Sequence, residues 1–245
     1  MNSRLSHPEQ PDSASDVKVD RDRAYQRLAA QILSLIAEGE FQPGARLPSE
    51  RALADRFEVS RTSVREAIIA LEIQGAVEVK GGSGIYICAS PPTSRIHPLL
   101  QIGGPGPFEL LRARCLIESE VAAAAAESRK DADLDRIFSA LADMRKHMDD
   151  KAANEAADRL FHLRIAESTG NSVLVQMVKA MWDQARSPVW EKIEQHFHTP
   201  ALRVASQNDH QVIFNALVVR DASAARTAMK AHLERVMGEF AEAWR

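Results

Sequence analysis

Apolar residues recur at helical spacing in the first part of the chain. Leu28 and Ile32 lie on one face of a predicted first helix, and Gly39 ends it. The residues before this pattern, 1–21, are polar and lack the apolar core of a signal peptide. We therefore expect an ordered chain from about residue 22 and a disordered tail before it.

Two further short helices are predicted, each preceded by a serine that suits the N-cap position. Ser49 precedes a helix whose apolar face is Leu53, Ala54 and Phe57. Ser60 precedes a third helix with apolar residues at positions i, i+3, i+4 and i+7, which are Val64, Ala67, Ile68 and Leu71.

A β-hairpin is predicted directly after the third helix. Val77 and Val79 alternate with polar residues, a glycine-rich turn spans 81–84, and Ile85 and Ile87 alternate again. The order helix, helix, helix and hairpin is that of a winged helix-turn-helix, which we assign to residues 22–88.

The second half of the chain has a different composition. Residues 89–106 are rich in proline and glycine and are predicted to form a linker. Helical periodicity without strand-like alternation then predicts an all-α helical bundle over 107–243, with helices at about 107–128, 131–149, 153–169, 172–186, 188–197, 200–219 and 222–243. The predicted fold class is therefore mainly α, with the hairpin wing as its β-structure.

Composition agrees with two globular domains and excludes some classes of protein. The chain has 245 residues and a formal net charge of −3, which argues against a protein that coats nucleic acid indiscriminately. Cys88 and Cys115 match no metal or redox spacing. Since no segment approaches the roughly 18 apolar residues of a membrane span, we expect a cytoplasmic protein without membrane contact.

The start of the third predicted helix carries candidate DNA contacts. Arg61, Thr62 and Arg65 lie opposite its apolar face, and arginine pairs with guanine in the major groove. Ser60 and the free N–H groups at the helix start suit a phosphate.

Two more candidates flank this helix. Arg51 begins the preceding helix and is placed to grip the DNA backbone, and Gly82 at the wing tip permits close approach to the minor groove. A solvated charged face is the simpler interpretation of such residues, but their position opposite the apolar stripe favours DNA binding.

A candidate metal half-site lies in the second domain. Asp158 and His162 are four residues apart and project from one helical face, which combines an oxygen and an imidazole ligand. His210 and His232 lie in separate later helices, and antiparallel packing could bring both to the same cavity. The alternative is that each histidine is an ordinary core or surface residue.

The DNA-binding segment resembles a known family. Residues 41–54 read Phe-Gln-Pro-Gly-Ala-Arg-Leu-Pro-Ser-Glu-Arg-Ala-Leu-Ala, and residues 59–67 read Val-Ser-Arg-Thr-Ser-Val-Arg-Glu-Ala. These segments closely resemble the GntR family of bacterial regulators. The resemblance implies operator contacts by Arg51, Arg61, Thr62, Arg65 and Gly82.

Three segments of the second domain look like the helical effector domain of the FadR subfamily. They are Arg114-x-x-Ile117-Glu118, the run 158–162 followed by Gly170-Asn171, and Asp209-His210-Gln211 with His232-Leu233 downstream. Residues 106–111 and the region of Trp190 are most similar to repressors of hexuronate utilisation, although sugar-acid and hydroxy-acid regulators share much of this pattern.

This second resemblance implies a metal site and an effector site. Its ligand positions are all filled, by Asp158, His162, His210 and His232. The expected ion is zinc, although nickel or manganese also suits these ligands.

The same resemblance implies that Arg114 binds a carboxylate effector, with a surface ion pair to Glu118 as the alternative. Asn171 either approaches this ligand or caps the following helix.

The expected function is therefore a transcriptional regulator, and most simply a repressor, that binds operator double-stranded DNA as a homodimer. A small organic acid such as a hexuronate, bound at the metal, is expected to control it. One alternative is a metal-free regulator that responds to an acyl-CoA, as in the namesake of the subfamily. The other is a metal-dependent enzyme, although the sequence shows no general base and nucleophile for one.

Overall fold

The computed structural model describes residues 24–80, 83–89, 105–184 and 200–242. The tail predicted over 1–21, most of the linker predicted over 89–106, Gly82 and the helix predicted over 188–197 lie outside the described residues.

The N-terminal part has the predicted order of elements. It consists of α1 (Ala24–Ala37), α2 (Glu50–Phe57), α3 (Arg61–Ile73), β1 (Val77–Lys80) and β2 (Gly84–Ile87). Ser49 Oγ accepts the N–H of Ala52 at 3.3 Å, and Ser60 Oγ accepts the N–H of Ser63 at 3.0 Å. Both serines are therefore the N-caps that the sequence predicted.

One apolar core holds these elements together. It is formed by the inner faces of the three helices and by the hairpin, and it includes Leu28, Ile32, Leu53, Val64, Ala67, Leu71, Val77 and Ile87. Burial of these faces removes apolar surface from water, which is the main favourable contribution to folding. The core orients α3 so that its N-terminus stays at the surface.

The wing is an antiparallel pair in which Val77 lies opposite Ile87 and Lys80 opposite Gly84. Gly84 has a φ of +120°, and a Cβ at this position would lie 2.4 Å from Nε of Arg46. Glycine is therefore required here both by the backbone conformation and by the arginine that crosses the wing.

The C-terminal part is helical throughout the described residues. Its helices are α4 (Pro107–Ser128), α5 (Asp131–Lys146), α6 (Lys151–Ser168), α7 (Ser172–Gln184), α8 (Pro200–Val218) and α9 (Ala222–Glu242). The alanines of α4 are small enough to let α9 pack closely against it, and Ala122, Ala125 and Ala126 are fully buried. The fold class predicted from the sequence is confirmed.

Helix ends differ from the predicted ends by a few residues. Helix α5 was expected to continue to residue 149 but ends at Lys146, and α6 begins at Lys151 rather than at 153. Asp150 explains the earlier start, because its Oδ1 accepts the N–H of Ala153 at 3.1 Å and caps α6.

A separate apolar cluster connects the two parts of the molecule. Ile69 on α3 packs with Phe108 and Leu111 at the start of α4 and with Phe240 near the end of α9. Helix α3 thus packs both in the N-terminal core and against the helical C-terminal part.

Within the ranges that the structure describes, none of the helices is long and apolar enough to cross a membrane.

Candidate functional site

The N-terminal end of α3 is exposed, as a DNA-reading helix requires. Arg61 is its first residue, and 62% of its side chain is exposed. Ser60 is also exposed, although its hydroxyl already caps the helix and lies 2.9 Å from the hydroxyl of Ser63. Helix α3 therefore presents an arginine and free backbone N–H groups to solvent.

Arg65 is less free than its predicted outward position suggested. Its Nε lies 3.0 and 2.9 Å from the two carboxylate oxygens of Glu50, and only 15% of its side chain is exposed. Glu50 also lies 3.7 Å from Arg61. Glu50, the first residue of α2, thus fixes the direction of the Arg65 side chain, a role that we did not predict.

The other predicted DNA contacts lie in different surroundings. The side chain of Arg51 is 85% exposed, with Asp55 at 4.0 Å. Thr62 is half-buried, and its hydroxyl accepts a hydrogen bond from Nη1 of Arg112 at 3.4 Å. Gly82 lies outside the described residues.

The four predicted metal ligands come together in the interior of the helical domain. Helix α6 supplies Asp158 and His162, α8 supplies His210, and α9 supplies His232. The ligand atoms of the three histidines all lie within 4.8 Å of one another. Asp158 Oδ1 lies 3.4 Å from His162 Nε2 and 3.3 Å from His210 Nε2.

Two atoms at this convergence have unmet hydrogen-bonding capacity. Asp158 Oδ1 and His162 Nε2 are buried, and neither makes a hydrogen bond within the described part of the chain. A buried polar atom without a partner is costly, and such atoms mark places where an ion or ligand belongs. One carboxylate oxygen and three imidazole nitrogens facing one another fit a divalent cation.

The outer nitrogens of two of these histidines are held by carboxylates. His162 Nδ1 pairs with Oε2 of Glu118 on α4, and His232 Nδ1 lies 3.2 Å from Oδ2 of Asp209. Metal-binding histidines in proteins commonly have this partner, which fixes the tautomer and turns the other nitrogen toward the ion. The two carboxylates therefore orient the inner nitrogens of His162 and His232 toward the cluster.

Each carboxylate is in turn held by an arginine. Arg114 Nε donates to Glu118 Oε1 at 2.6 Å, and Arg235 Nε donates to Asp209 Oδ2 at 2.6 Å. Arg114 and Glu118 form the ion pair that was considered as an alternative. The pair is buried, however, and does not lie at the surface.

The surroundings set the ionisation of these groups. Burial would raise the pKa of Glu118, but the Arg114 guanidinium and His162 lower it to about 2. Burial, reinforced by the adjacent His232, lowers the pKa of His210 well below its usual value. Burial also lowers the pKa of His232, against the opposite effect of Asp209. At neutral pH His210 and His232 are therefore neutral, which is the form that binds metals.

His162 behaves differently. Burial opposes its charged form, but Glu118 and Asp158 outweigh this effect and raise the pKa of His162. For Asp158, a carboxylate, burial acts in the other direction and would raise the pKa. His210 and His162 outweigh this effect and hold the pKa of Asp158 far below its usual range. The cluster therefore contains a stable carboxylate that attracts positive charge.

Arg114 and Trp182 lie together beside the histidines. The guanidinium carbon of Arg114 is 3.9 Å from the centroid of the Trp182 ring, and that ring is 5.1 Å from the ring of His162. The indole Nε1 of Trp182 is buried and has no hydrogen-bond partner within the described residues. This unmet donor was not predicted from the sequence.

Asn171 has the contacts of a helix cap. Its Oδ1 accepts the N–H of Val173 at 3.0 Å and that of Leu174 at 3.4 Å, and its side chain is exposed at the start of α7. The capping interpretation is thus observed, and a contact with an effector stays a prediction.

Two family profiles match the chain. The profile described as "Bacterial regulatory proteins, gntR family" matches residues 24–87, and the profile described as "FCD domain" matches residues 109–235.

Curated relatives cover most of the chain. The "Uxu operon transcriptional regulator" of Escherichia coli K12 is 39% identical over 90% of this chain and 88% of its own length. The "Exu regulon transcriptional regulator" of the same organism is 38% identical over 86% of this chain and 82% of its own length. Among solved structures, E. coli McbR/YncC is 19% identical with a TM-score of 0.49, over 91% of this chain and 99% of that one.

Proposed function

The chain belongs to the gntR family of bacterial regulatory proteins and carries an FCD domain, and from this we propose that its operator binding is controlled by a small carboxylate bound at a metal centre. Family members and relatives are DNA-binding transcriptional regulators and not enzymes. The observation that carries the proposal is the buried convergence of Asp158 with His162, His210 and His232.

The ligand set supports a divalent cation of the zinc type. One carboxylate and three imidazoles suit zinc, and nickel or manganese binds to the same ligand types. The carboxylates Glu118 and Asp209 support the metal because they orient the histidines before the ion arrives. A bound cation with four protein ligands supplies open coordination positions to the oxygens of an effector.

Arg114 supports a carboxylate as the effector. Its bond to Glu118 uses Nε, and the two terminal nitrogens carry four further N–H donors. Arginine binds carboxylates through two parallel hydrogen bonds. The buried Nε1 of Trp182 adds a donor that suits a hydroxyl group. A hydroxylated acid such as a hexuronate would accept hydrogen bonds from the Arg114 guanidinium through its carboxylate and from Trp182 Nε1 through a hydroxyl group.

The names of the relatives support the same class of effector. Two of the most similar relatives are named for the Uxu operon and the Exu regulon, which agrees with the resemblance of residues 106–111 to repressors of hexuronate utilisation. Another, at 32% identity, is named as a putative regulator of an L-lactate dehydrogenase operon. An acyl-CoA without metal is a weaker alternative, because it would leave Asp158 Oδ1 and His162 Nε2 buried with only their mutual 3.4 Å ion pair and no well-formed hydrogen bond.

Control of DNA binding requires two recognition helices. Two-fold operators are bound by dimers, so we propose that two copies of the chain act together and that effector binding releases them from DNA. The coupling between effector and operator is expected to be on the order of 1–3 kcal/mol.

A thermal-shift screen tests the effector class. Metal-loaded protein should melt at a higher temperature with D-glucuronate or D-galacturonate than with their neutral parent sugars, because a ligand of the native state stabilises it by mass action. A chelator should abolish the shift. Equal shifts with acids and neutral sugars, or shifts that survive removal of the metal, would rule out a metal-bound carboxylate.

A further inference from the structure

Glu66 connects the recognition helix to the effector domain. It lies on α3 and is only 6% exposed. Its Oε1 accepts the backbone N–H groups of Phe108 and Glu109, each at 3.1 Å, at the first turn of α4. The carboxylate therefore caps a helix of the other domain, where free N–H groups and the helix dipole favour negative charge.

Gly106 makes room for this contact. Its φ of −61° is open to any residue, so the backbone does not require glycine. A Cβ at this position would lie 2.4 Å from the carboxylate carbon of Glu66 and 2.5 and 2.7 Å from its oxygens. The close approach of Glu66 therefore explains the absence of a side chain at residue 106.

Helix α4 also carries the effector-site residues. Arg114 lies five residues after Glu109, or about 8 Å along a helix that rises 1.5 Å per residue, and Glu118 lies one turn further on. Next to Glu66, Arg112 of α4 donates to Thr62 of α3 at 3.4 Å. Helix α4 thus contacts the recognition helix in its first turns and His162 of the metal site near its middle.

We propose that Glu66 is the positioning residue through which the effector site controls the recognition helix. A shift of α4 that follows ligand binding at Arg114 and the metal moves the N–H groups that Glu66 holds, and α3 moves with them. This inference rests on the proposed function for the binding of a ligand at the effector site. It rests on the Glu66 contact for the movement of α3 that follows.

The contact is suited to a reversible role. Burial raises the pKa of Glu66, although the N–H of Glu109 and the charge of Arg112 favour its ionised form. Desolvation of the buried carboxylate therefore offsets part of the favourable free energy of its hydrogen bonds, so the contact is only weakly favourable overall. The other contacts described between α3 and α4 include the apolar cluster of Ile69 with Phe108 and Leu111 and the hydrogen bond from Arg112 to Thr62.

Two substitutions on opposite sides of the contact test the proposal in the full-length protein. Glu66→Ala removes the carboxylate, and Gly106→Ala displaces it with a methyl group. Gly238→Ala is the matched control, because a Cβ there meets nothing within 4 Å. Glu66→Gln keeps an acceptor oxygen and should restore part of the effect.

Amide hydrogen exchange reports the contact itself. The amides of Phe108 and Glu109 should exchange about tenfold faster or more in Glu66→Ala and Gly106→Ala, since each loses a charge-assisted hydrogen bond. Adding Gly106→Ala to Glu66→Ala should change nothing further, because both act on the same contact. Exchange as slow as in the wild type in both variants would overturn the proposal.

Operator affinity with and without hexuronate reports the coupling. The effector-induced ratio of dissociation constants should fall toward 1 in Glu66→Ala and Gly106→Ala and stay at the wild-type value in Gly238→Ala. A purely structural role would weaken binding in both conditions and preserve the ratio, which would contradict the proposal. The two parts of the account can fail separately. If hexuronates do not affect operator binding by the wild-type protein, but both variants lose amide protection at Phe108 and Glu109, the proposed effector is contradicted and the Glu66 contact is supported.

Discussion

Replacing His162 with alanine is expected to remove stoichiometric metal from the protein and to abolish the response of operator binding to hexuronates. His162 supplies a buried nitrogen without a hydrogen-bond partner, and its other nitrogen is oriented by Glu118. Loss of one of four ligands leaves Asp158 and two neutral imidazoles, which bind a divalent ion far more weakly. Metal analysis after purification without a histidine tag measures the first effect, and operator titration measures the second.

Two further variants test whether the effect of His162→Ala is specific to the loss of a metal ligand. His147→Ala removes a histidine at the end of α5, away from the cluster, and should retain the metal and the response. Glu118→Gln should retain the site but weaken metal affinity about 10- to 100-fold, as expected for loss of a carboxylate behind a ligating histidine. A His162→Ala protein that keeps stoichiometric metal would show that the ion binds elsewhere.

Replacing Arg65 with alanine is expected to weaken operator binding by about 1–3 kcal/mol, or roughly 5- to 150-fold. Arg65 lies on α3, and its guanidinium is aligned by Glu50. The substitution removes a hydrogen-bond donor to DNA and leaves Glu50 with the longer ion pair to Arg61, at 3.7 Å. Fluorescence anisotropy with a site selected from a random-sequence library measures the affinity, and circular dichroism checks that the domain folds.

A charge-matched control separates recognition from net charge. Arg56→Gln removes one positive charge from the same domain, but Arg56 pairs with Glu40 and stacks on Phe41, away from the start of α3. It should alter affinity little. Equal losses in both variants, or unchanged affinity in Arg65→Ala, would argue against α3 as the recognition helix.

Much of the fold followed from local pattern. The apolar faces of α2 and α3, their serine caps and the alternation of the hairpin all depend on residues within a few positions of one another. Such signals are visible in one sequence because they reflect helix and strand periodicity. The start of α6 was misplaced because a cap, Asp150, decides it rather than apolar spacing.

The candidate site was only partly predictable. Asp158 and His162 share a helical face by spacing, but joining them to His210 and His232 required the family resemblance. Asp209 and Arg235 went unpredicted as parts of the site because their roles depend on how α8 meets α9. The sequence likewise gives no hint that Glu66 reaches a helix that starts about forty residues later. Tertiary packing brings these groups together, and such contacts cannot be predicted from the periodicity of a single helix or strand.

One titration tests most directly whether the metal centre controls DNA binding. Operator affinity is measured by anisotropy for metal-loaded protein without hexuronate, for the same protein with hexuronate, and for chelated protein with hexuronate. We predict that hexuronate weakens operator binding about 5- to 150-fold in the metal-loaded protein and has no effect after chelation. An equal response with and without metal, or no response of the metal-loaded protein to any hexuronate, would contradict control through this site.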